Sequence, residues 1–420
     1  MQTGSGVDPQ GDTVGYQWTL AAVPGRSTLT DADLAGAATA TVSFVPDTAG
    51  RYLLRLVTDD GVGFSPPDTA EVLVVGEILV PEDYPTVGAA LDAAGTGSTI
   101  DIGAGTFDAR LDLEGKDLVI RGAGAGLTLL DGAGLAPVLR ANHGETVTLE
   151  GLTLTHGLGG RGGGLWVDGG TVTATDLTLA ENVACEGGGL YLDTADLVGD
   201  GVQLVANRGG NWGGGATLAG GSSLDLVRST MLGNRVGAGP GGGARVDGSN
   251  LILTNVIVAD NFAETGAGLY LNAAGTSGTL DHVTMVHNDT PIAGAAVYVS
   301  SSADFTLHDS IVAYNHGPST LYESSAAFGF LQTWSLVSGN DDPAYDLAGT
   351  EPVDGVDGND LDGDPAFTAV SDDGDWTNDD WTLDPASDAV DAGDPLGTLD
   401  PDGSAPDLGA FGGDLGDWTP

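Results

Sequence analysis

Seven asparagines, Asn182, Asn207, Asn234, Asn261, Asn288, Asn315 and Asn340, recur at intervals of 25 to 27 residues. Each closes a short apolar run: LTLAEN, VQLVAN, STMLGN, VIVADN, VTMVHN, SIVAYN and SLVSGN. Between them, six glycine clusters begin at Gly162, Gly187, Gly213, Gly241, Gly266 and Gly294 and open GGGLWV, GGGLYL, GGGATL, GGGARV, GAGLYL and GAAVYV. His156, in LTLTH, holds the asparagine's place one repeat earlier. A unit this short cannot bury its own apolar face, so neighbouring units must stack and share one core.

Two or three strands per unit with turns between them describe one coil of a right-handed parallel β-helix, predicted here over residues 77–345. Strands of successive coils pair about 4.8 Å apart. The asparagines then stack at one corner, where their amides bond each other and otherwise unpaired backbone. Another corner takes glycine, for positive φ or close backbone approach. Counting back from each asparagine sorts the faces. The positions five back (Leu177, Val202, Ser229, Val256, Val283, Ser310, Ser335) and three back (Leu179, Leu204, Met231, Val258, Met285, Val312, Val337) point inward. The column between them, Thr178, Gln203, Thr230, Ile257, Thr284, Ile311 and Leu336, points outward, by the strand period of two.

Composition agrees with an all-β chain. Of 420 residues 70 are glycine and three are methionine, which disfavours helix. Sixty acidic residues against 12 basic ones give a formal charge of -48, and Lys116 is the single lysine. Nucleic acid is excluded as a partner, because phosphate binding needs clustered Lys and Arg. The charge reads either as solubility among screening counterions or as carboxylate sites for Ca²⁺. Cys185 is alone, which rules out an intramolecular disulfide and suits an oxidising exterior. No run is long and apolar enough for membrane insertion. The polar start, MQTGSGVDPQGD, is not a signal peptide, so an exported chain is expected to be a mature form or a fragment.

Residues 162–340 resemble the repeats of pectin-lyase-like β-helices, and especially those of polymorphic outer-membrane proteins. VPEDYPTVGAALDAAGTGSTIDIGAGTF and LEGKDLVIRGAG resemble the start of such helices. There Pro85 to Ala94 is expected to form a short amphipathic helix over the open end of the core, with Thr86 as N-cap.

Residues 1–76 carry strands YQWTL, ATVSF, YLLRLVT and AEVLVV split by turn residues, the pattern of a small N-terminal β-sandwich. Asp8, Pro9, Gly11, Asp12, Val14, Tyr16 and Trp18, then Pro46–Gly50, Tyr52 and Thr58–Gly61, resemble a PKD-type immunoglobulin-like domain. The family has one or two strands ahead of the Asp-Pro-x-Gly-Asp motif, which this chain is expected to lack. Either the chain is cut from a longer protein, or a strand of another subunit completes the sandwich and builds a homo-oligomer or filament.

Residues 346–420 are expected to form an Asp-rich loop and a C-terminal cap. The loop spaces Asp354, Asp357, Asp360, Asp362 and Asp364 among glycines, a candidate Ca²⁺ site or a plain polar loop. WTLDPASDAVDAGDP and DPDGSAPDLGAFGG, near 381–413, resemble the closing segment of bacterial secreted β-helix proteins.

No catalytic residue is assigned. The Asn-Thr-Asp, Gly-His-Gly and Arg-Ile-Lys sets of polygalacturonase-like enzymes, the Arg-x-Pro-x-x-Arg of pectate-lyase-like ones and a hydrolase-type His cluster do not occur. Six positions before the asparagines stand Arg228, Asn255, His282, Asp309 and Trp334, and one before them Asp260, His287 and Tyr314. They read as a solvated face or as a polar and aromatic strip holding a carbohydrate, with His282 and Asp309 paired across adjacent coils. The expectation is therefore not an enzyme but an exported, extracellular or cell-surface structural or adhesion protein. The alternative is a polysaccharide lyase or glycoside hydrolase acting on an anionic glycan.

Overall fold

In the computed structural model the described residues are 1–7, 12–300, 303–324, 330–341, 345–347, 363–371, 376–416 and 418. The chain divides into two compact units, residues 1–104 with 116–122, and residues 105–115 with 123–420.

In the smaller unit, strands Gly15–Ala22, Gly50–Asp59 and Asp68–Val74 form an antiparallel sheet. Gln2–Thr3 pairs antiparallel with Thr41–Val42, so the segment ahead of the Asp-Pro motif does contribute a short strand. Trp18, Leu34, Val42, Leu54 and Leu56 fill the space between. Buried Tyr52 sends its hydroxyl to Asp47, at 2.9 Å. Strands Glu77–Val80, Thr99–Ile102 and Leu118–Arg121 are parallel. The helix Val87–Ala93 starts at Thr86, whose Oγ1 accepts the Ala89 N–H, and it buries Val87, Ala90, Leu91 and Ala93. The lone Lys116 donates to the Leu91 carbonyl, at the end of that helix.

The larger unit is a parallel β-helix. A ten-stranded parallel sheet runs from Leu111–Asp112 to Tyr345–Leu347 and contains every strand opened by a glycine cluster. A second sheet holds the long strands Thr146–Thr155, Thr171–Ala180, Asp196–Val205, Ser223–Leu232, Asn250–Ala259 and Ser277–Val286. A third is short: Leu158–Arg161, Val183–Glu186, Arg208–Trp212 and Arg235–Val236. Register is in step between coils, with Leu177 beside Val202 and Leu179 beside Leu204. The two inward columns are buried wherever they were expected up to Ser335.

Three columns of left-handed backbone make the corners. One bends each long strand, at Gly151, Asp176, Gly201, Arg228, Asn255, His282, Asp309 and Trp334. The second precedes the asparagines, at Glu181, Ala206, Gly233, Asp260, His287, Tyr314 and Gly339; His156 stands in this column, so Gly157, whose N–H donates to Asn182 Oδ1, and not His156 holds the asparagine's place one coil earlier. The third is the first glycine of each cluster. The remaining cluster glycines leave no room for a side chain: a Cβ on Gly188 would lie 2.4 Å from the Gly214 carbonyl oxygen.

The asparagine ladder carries the backbone bonds of the second corner. The Asn182 N–H and Nδ2 both donate to Asn207 Oδ1, at 3.0 and 3.1 Å, while Nδ2 also donates to the Leu154 carbonyl. The same set recurs down to Asn315, which donates to Asn340.

The outward column of the long strands changes character along the coil. Thr178 and Gln203 are half-buried, whereas Thr230, Ile257, Thr284, Ile311 and Leu336 are fully buried. Trp381, Ala389, Leu408 and Ala410 pack in one cluster with Ile257, Ile311 and Leu336, and the Ala410 N–H donates to Thr284 Oγ1. Where the sequence suggested an end cap, the described part of the closing segment lies along this outer face.

Candidate functional site

Two arrangements concentrate chemistry, both in the β-helical unit. The first lies under the closing segment, where left-handed corners of neighbouring coils bring His282 and Asp309 together. His282 Nδ1 is 3.0 Å from Asp281 Oδ1, and its Nε2 is 3.7 Å from Asp309 Oδ2. His308 Nε2 approaches the same oxygen at 3.3 Å, and its Nδ1 is 2.8 Å from Thr333 Oγ1. Asp309 Oδ1 accepts the Asp394 N–H, and the Asp309 carbonyl accepts the Gly409 N–H. Asn255 Nδ2 donates to the carbonyls of Ala410 and Gly412, at 3.0 and 2.7 Å.

Electrostatics follow burial. Asp309 is raised above the ordinary carboxylate range by burial, against the Asp394 N–H and the charges of His308 and His282. Burial also raises Asp400 and Asp407. Burial works against the charged form of His282, but the Asp281 hydrogen bond and the charges of Asp281, Asp309 and Asp400 outweigh it and raise the imidazole.

These positions depart from the strip expected from the sequence. Arg228, His282, Asp309 and Trp334 stand in one corner column, His287 and Tyr314 in another. Asn255, His282, His287 and Asp309 are buried. Arg228 pairs with Asp200, and the Tyr314 hydroxyl donates to Asp364 at 2.6 Å, its pKa pushed up to about 12 by burial and that carboxylate. The strip is therefore not an open sugar-binding surface: corner geometry turns its backbone, and the closing segment covers much of it. Of the candidate Ca²⁺ residues, Asp354, Asp357, Asp360 and Asp362 lie outside the described residues, and Asp364 holds Tyr314 and the Ala366 N–H.

The second arrangement lies along the ten-stranded sheet, half-buried at both ends and buried at Tyr191, Thr217 and Arg245 in the middle. Its outward column reads Arg140, Trp166, Tyr191, Thr217, Arg245, Tyr270, Tyr298 and Tyr322, one residue per coil, each beside the next. Seven steps at about 4.8 Å make a track of roughly 34 Å. Tyr270 and Tyr298 stack with centroids 4.9 Å apart, and Tyr298 and Tyr322 lie 4.6 Å apart. Arg161 lies over the Tyr191 ring at 4.8 Å, and Arg245 over half-exposed Trp212 at 4.0 Å, both cation–π contacts. Arg140 pairs with Asp112, Arg161 with Glu186 and Asp193, and Arg245 with Asp247. The next outward column is polar: Asp168 beside Asp193, and Asp247 beside Asn272. Sequence reasoning missed this track. Its signal was the residue before last in each glycine-opened strand, GGGLWV through GAAVYV, read there for glycine alone.

No family model and no curated protein matches the chain, so the PKD likeness rests on its residues, of which Asp8, Pro9 and Gly11 lie outside the described set. Among solved structures the chain is similar to the pectate lyase Pel9A, with a TM-score of 0.40 and 14% identity over 78% of this chain and 91% of that one. It is also similar to a PL6-family alginate lyase, AlyGC, with a TM-score of 0.18 and 12% identity over 69% of this chain and 54% of that one. These likenesses describe fold alone. Both are named as polysaccharide lyases, which runs against the expectation of a non-enzyme. A site on this sheet would draw one residue from each coil, 24 to 28 positions apart, and leave no contiguous motif.

Proposed function

We propose that the chain acts on an acidic polysaccharide laid along the ten-stranded sheet, as a lyase. The aromatic and arginine column from Arg140 to Tyr322 carries this reading. Stacked tyrosines and Trp212 offer apolar faces to sugar rings. Half-exposed Arg140 and Arg161 are cations suited to a uronate carboxylate, which they bind as planar forks, while buried Arg245 backs the Trp212 ring. In a chain with 12 basic residues, three arginines on one face are a concentration. Neutralising the carboxylate acidifies the proton on the adjacent carbon. Its removal by a base, with the β C–O bond breaking to expel the next sugar, leaves an unsaturated uronate. The carboxylates Asp168, Asp193 and Asp247 would take Ca²⁺ as a bridge to the same substrate.

An extracellular location accords with a polymeric substrate. The N-terminal sandwich, with its PKD resemblance, is assigned the role of spacer or contact module in the same proposal.

The deciding experiment incubates the chain with polygalacturonate, alginate and a neutral glucan, with and without Ca²⁺, and follows the ultraviolet absorbance of unsaturated product. Product from an acidic polymer supports the reading. Retention on the polymer without product removes the lyase chemistry and leaves binding. Absence of retention on any of the three removes the glycan reading altogether.

A further inference from the structure

The cluster under the closing segment takes no part in that proposal. His282 is more than nine-tenths buried, and its Nε2 makes no hydrogen bond. It stands 3.7 Å from Asp309 Oδ2, too far for a hydrogen bond. Two ligands of one tetrahedral zinc ion, each about 2.0–2.1 Å from the metal, lie about 3.4 Å apart. His308 Nε2, at 3.3 Å from the same oxygen, fits that separation. Both imidazoles are held from behind, His282 Nδ1 by Asp281 and His308 Nδ1 by Thr333. That is the outer support that fixes the tautomer of a metal-binding histidine. Asp309 divides its oxygens, with Oδ1 taken by the Asp394 N–H and Oδ2 left facing the histidines.

We infer that His282 Nε2, His308 Nε2 and Asp309 Oδ2 bind one zinc-class divalent transition ion, with water in the fourth position. Two imidazoles and a carboxylate are the donor set such an ion prefers over Ca²⁺ or Mg²⁺. The ion joins two successive coils and, through Asp309, the closing segment at Asp394 and Gly409. It is a structural clasp and is independent of the glycan track.

The test uses the full chain stripped with a chelator and titrated with zinc chloride against a millimolar Mg²⁺ background, which occupies loose carboxylates. One equivalent should bind tightly, and Co²⁺ in its place should give the visible absorption of a tetrahedral site. His308→Gln changes a partly exposed side chain, and Asp281→Asn removes only outer support. Asp281→Asn should weaken zinc binding by roughly 10–100-fold and His308→Gln by at least as much, while circular dichroism is unchanged. Zinc should also slow proteolysis between residues 394 and 413. If wild type and His308→Gln bind zinc equally, or if Co²⁺ gives no tetrahedral spectrum, the site is refuted.

Discussion

Asn207 Oδ1 accepts two hydrogen bonds from Asn182, one from its backbone and one from its side chain. A single oxygen thereby satisfies two buried donors of the coil above. Asn207 repeats the arrangement with Asn234.

Asn234→Ala should therefore cost more than one ordinary hydrogen bond. It leaves the Asn207 N–H, one Asn207 Nδ2 bond and the Leu204 carbonyl unpaired in a dry corner. Buried unmet groups cost about 1–3 kcal/mol each, less where partners relax, so a loss of about 3 kcal/mol is expected. Denaturant unfolding followed by circular dichroism checks it. A loss under about 0.5 kcal/mol would mean that water replaces the amide.

Gly188 and Gly221 separate two uses of glycine. Gly188→Ala places a methyl 2.4 Å from the Gly214 carbonyl oxygen and 2.6 Å from the Arg208 backbone. Both neighbours are backbone, so the coil must shift to admit the methyl, as it has at the matching Ala267 and Ala295, and soluble folded protein should fall. Gly221 has φ +82 with open space around it. Gly221→Ala should therefore cost only the left-handed strain, about 1–2 kcal/mol. Equal yields of the two variants would contradict the close-approach argument.

The repeat was legible because it obeys local rules. The asparagine spacing, the inward columns and the Thr86 cap each follow from a few neighbouring residues. The covering of Ile257 and Ile311 was not legible, because its partners lie outside the repeat, at 381–410. Still, apolar residues at outward positions were a warning that something packs there. The cluster of His282, His308 and Asp309 was half legible: pairing across coils followed from the period, but the left-handed bend that turns the side chains together did not.

On the glycan track, Tyr298 stacks with Tyr270 on one side and meets Tyr322, tilted against it, on the other. Tyr298→Ala breaks the platform at its middle. It should weaken polysaccharide binding by roughly tenfold, about 1–2 kcal/mol. Arg140→Ala, at a half-exposed arginine, should weaken binding of acidic polymers and spare neutral ones. Affinity electrophoresis in gels containing each polymer measures both. A Trp334→Ala control, in a corner column, should leave migration unchanged.

Asp47 gives the smaller unit an acid limit. Hydrogen bonds from Ser27 Oγ at 2.6 Å and the Thr28 N–H at 2.7 Å, with Tyr52, hold this carboxyl well below the usual range. A depressed folded value contributes stability that is present above the unfolded value, near 3.9, and is lost as pH falls toward the folded one. Amide protection in Gly50–Asp59, corrected for intrinsic exchange, should drop between about pH 4 and about pH 2. Asp47→Asn should flatten that drop. An unchanged acid limb would place its origin in other carboxylates.

Ile257→Thr tests the outer cover. Thr is the residue at the matching place, Thr178, where the outer face is half open, so the coil itself accepts it. At Ile257 the side chain is fully buried in the cluster with Trp381, Leu408 and Ala410. Exchanging its ethyl group for a hydroxyl should weaken docking of the closing segment by about 2 kcal/mol. Because the ladder and inward columns are untouched, the loss should be local. Limited proteolysis should cut between residues 381 and 413 faster, while circular dichroism of the coil and its unfolding midpoint stay near wild type. Concerted loss of both would show that the closing segment is part of the coil's own folding unit.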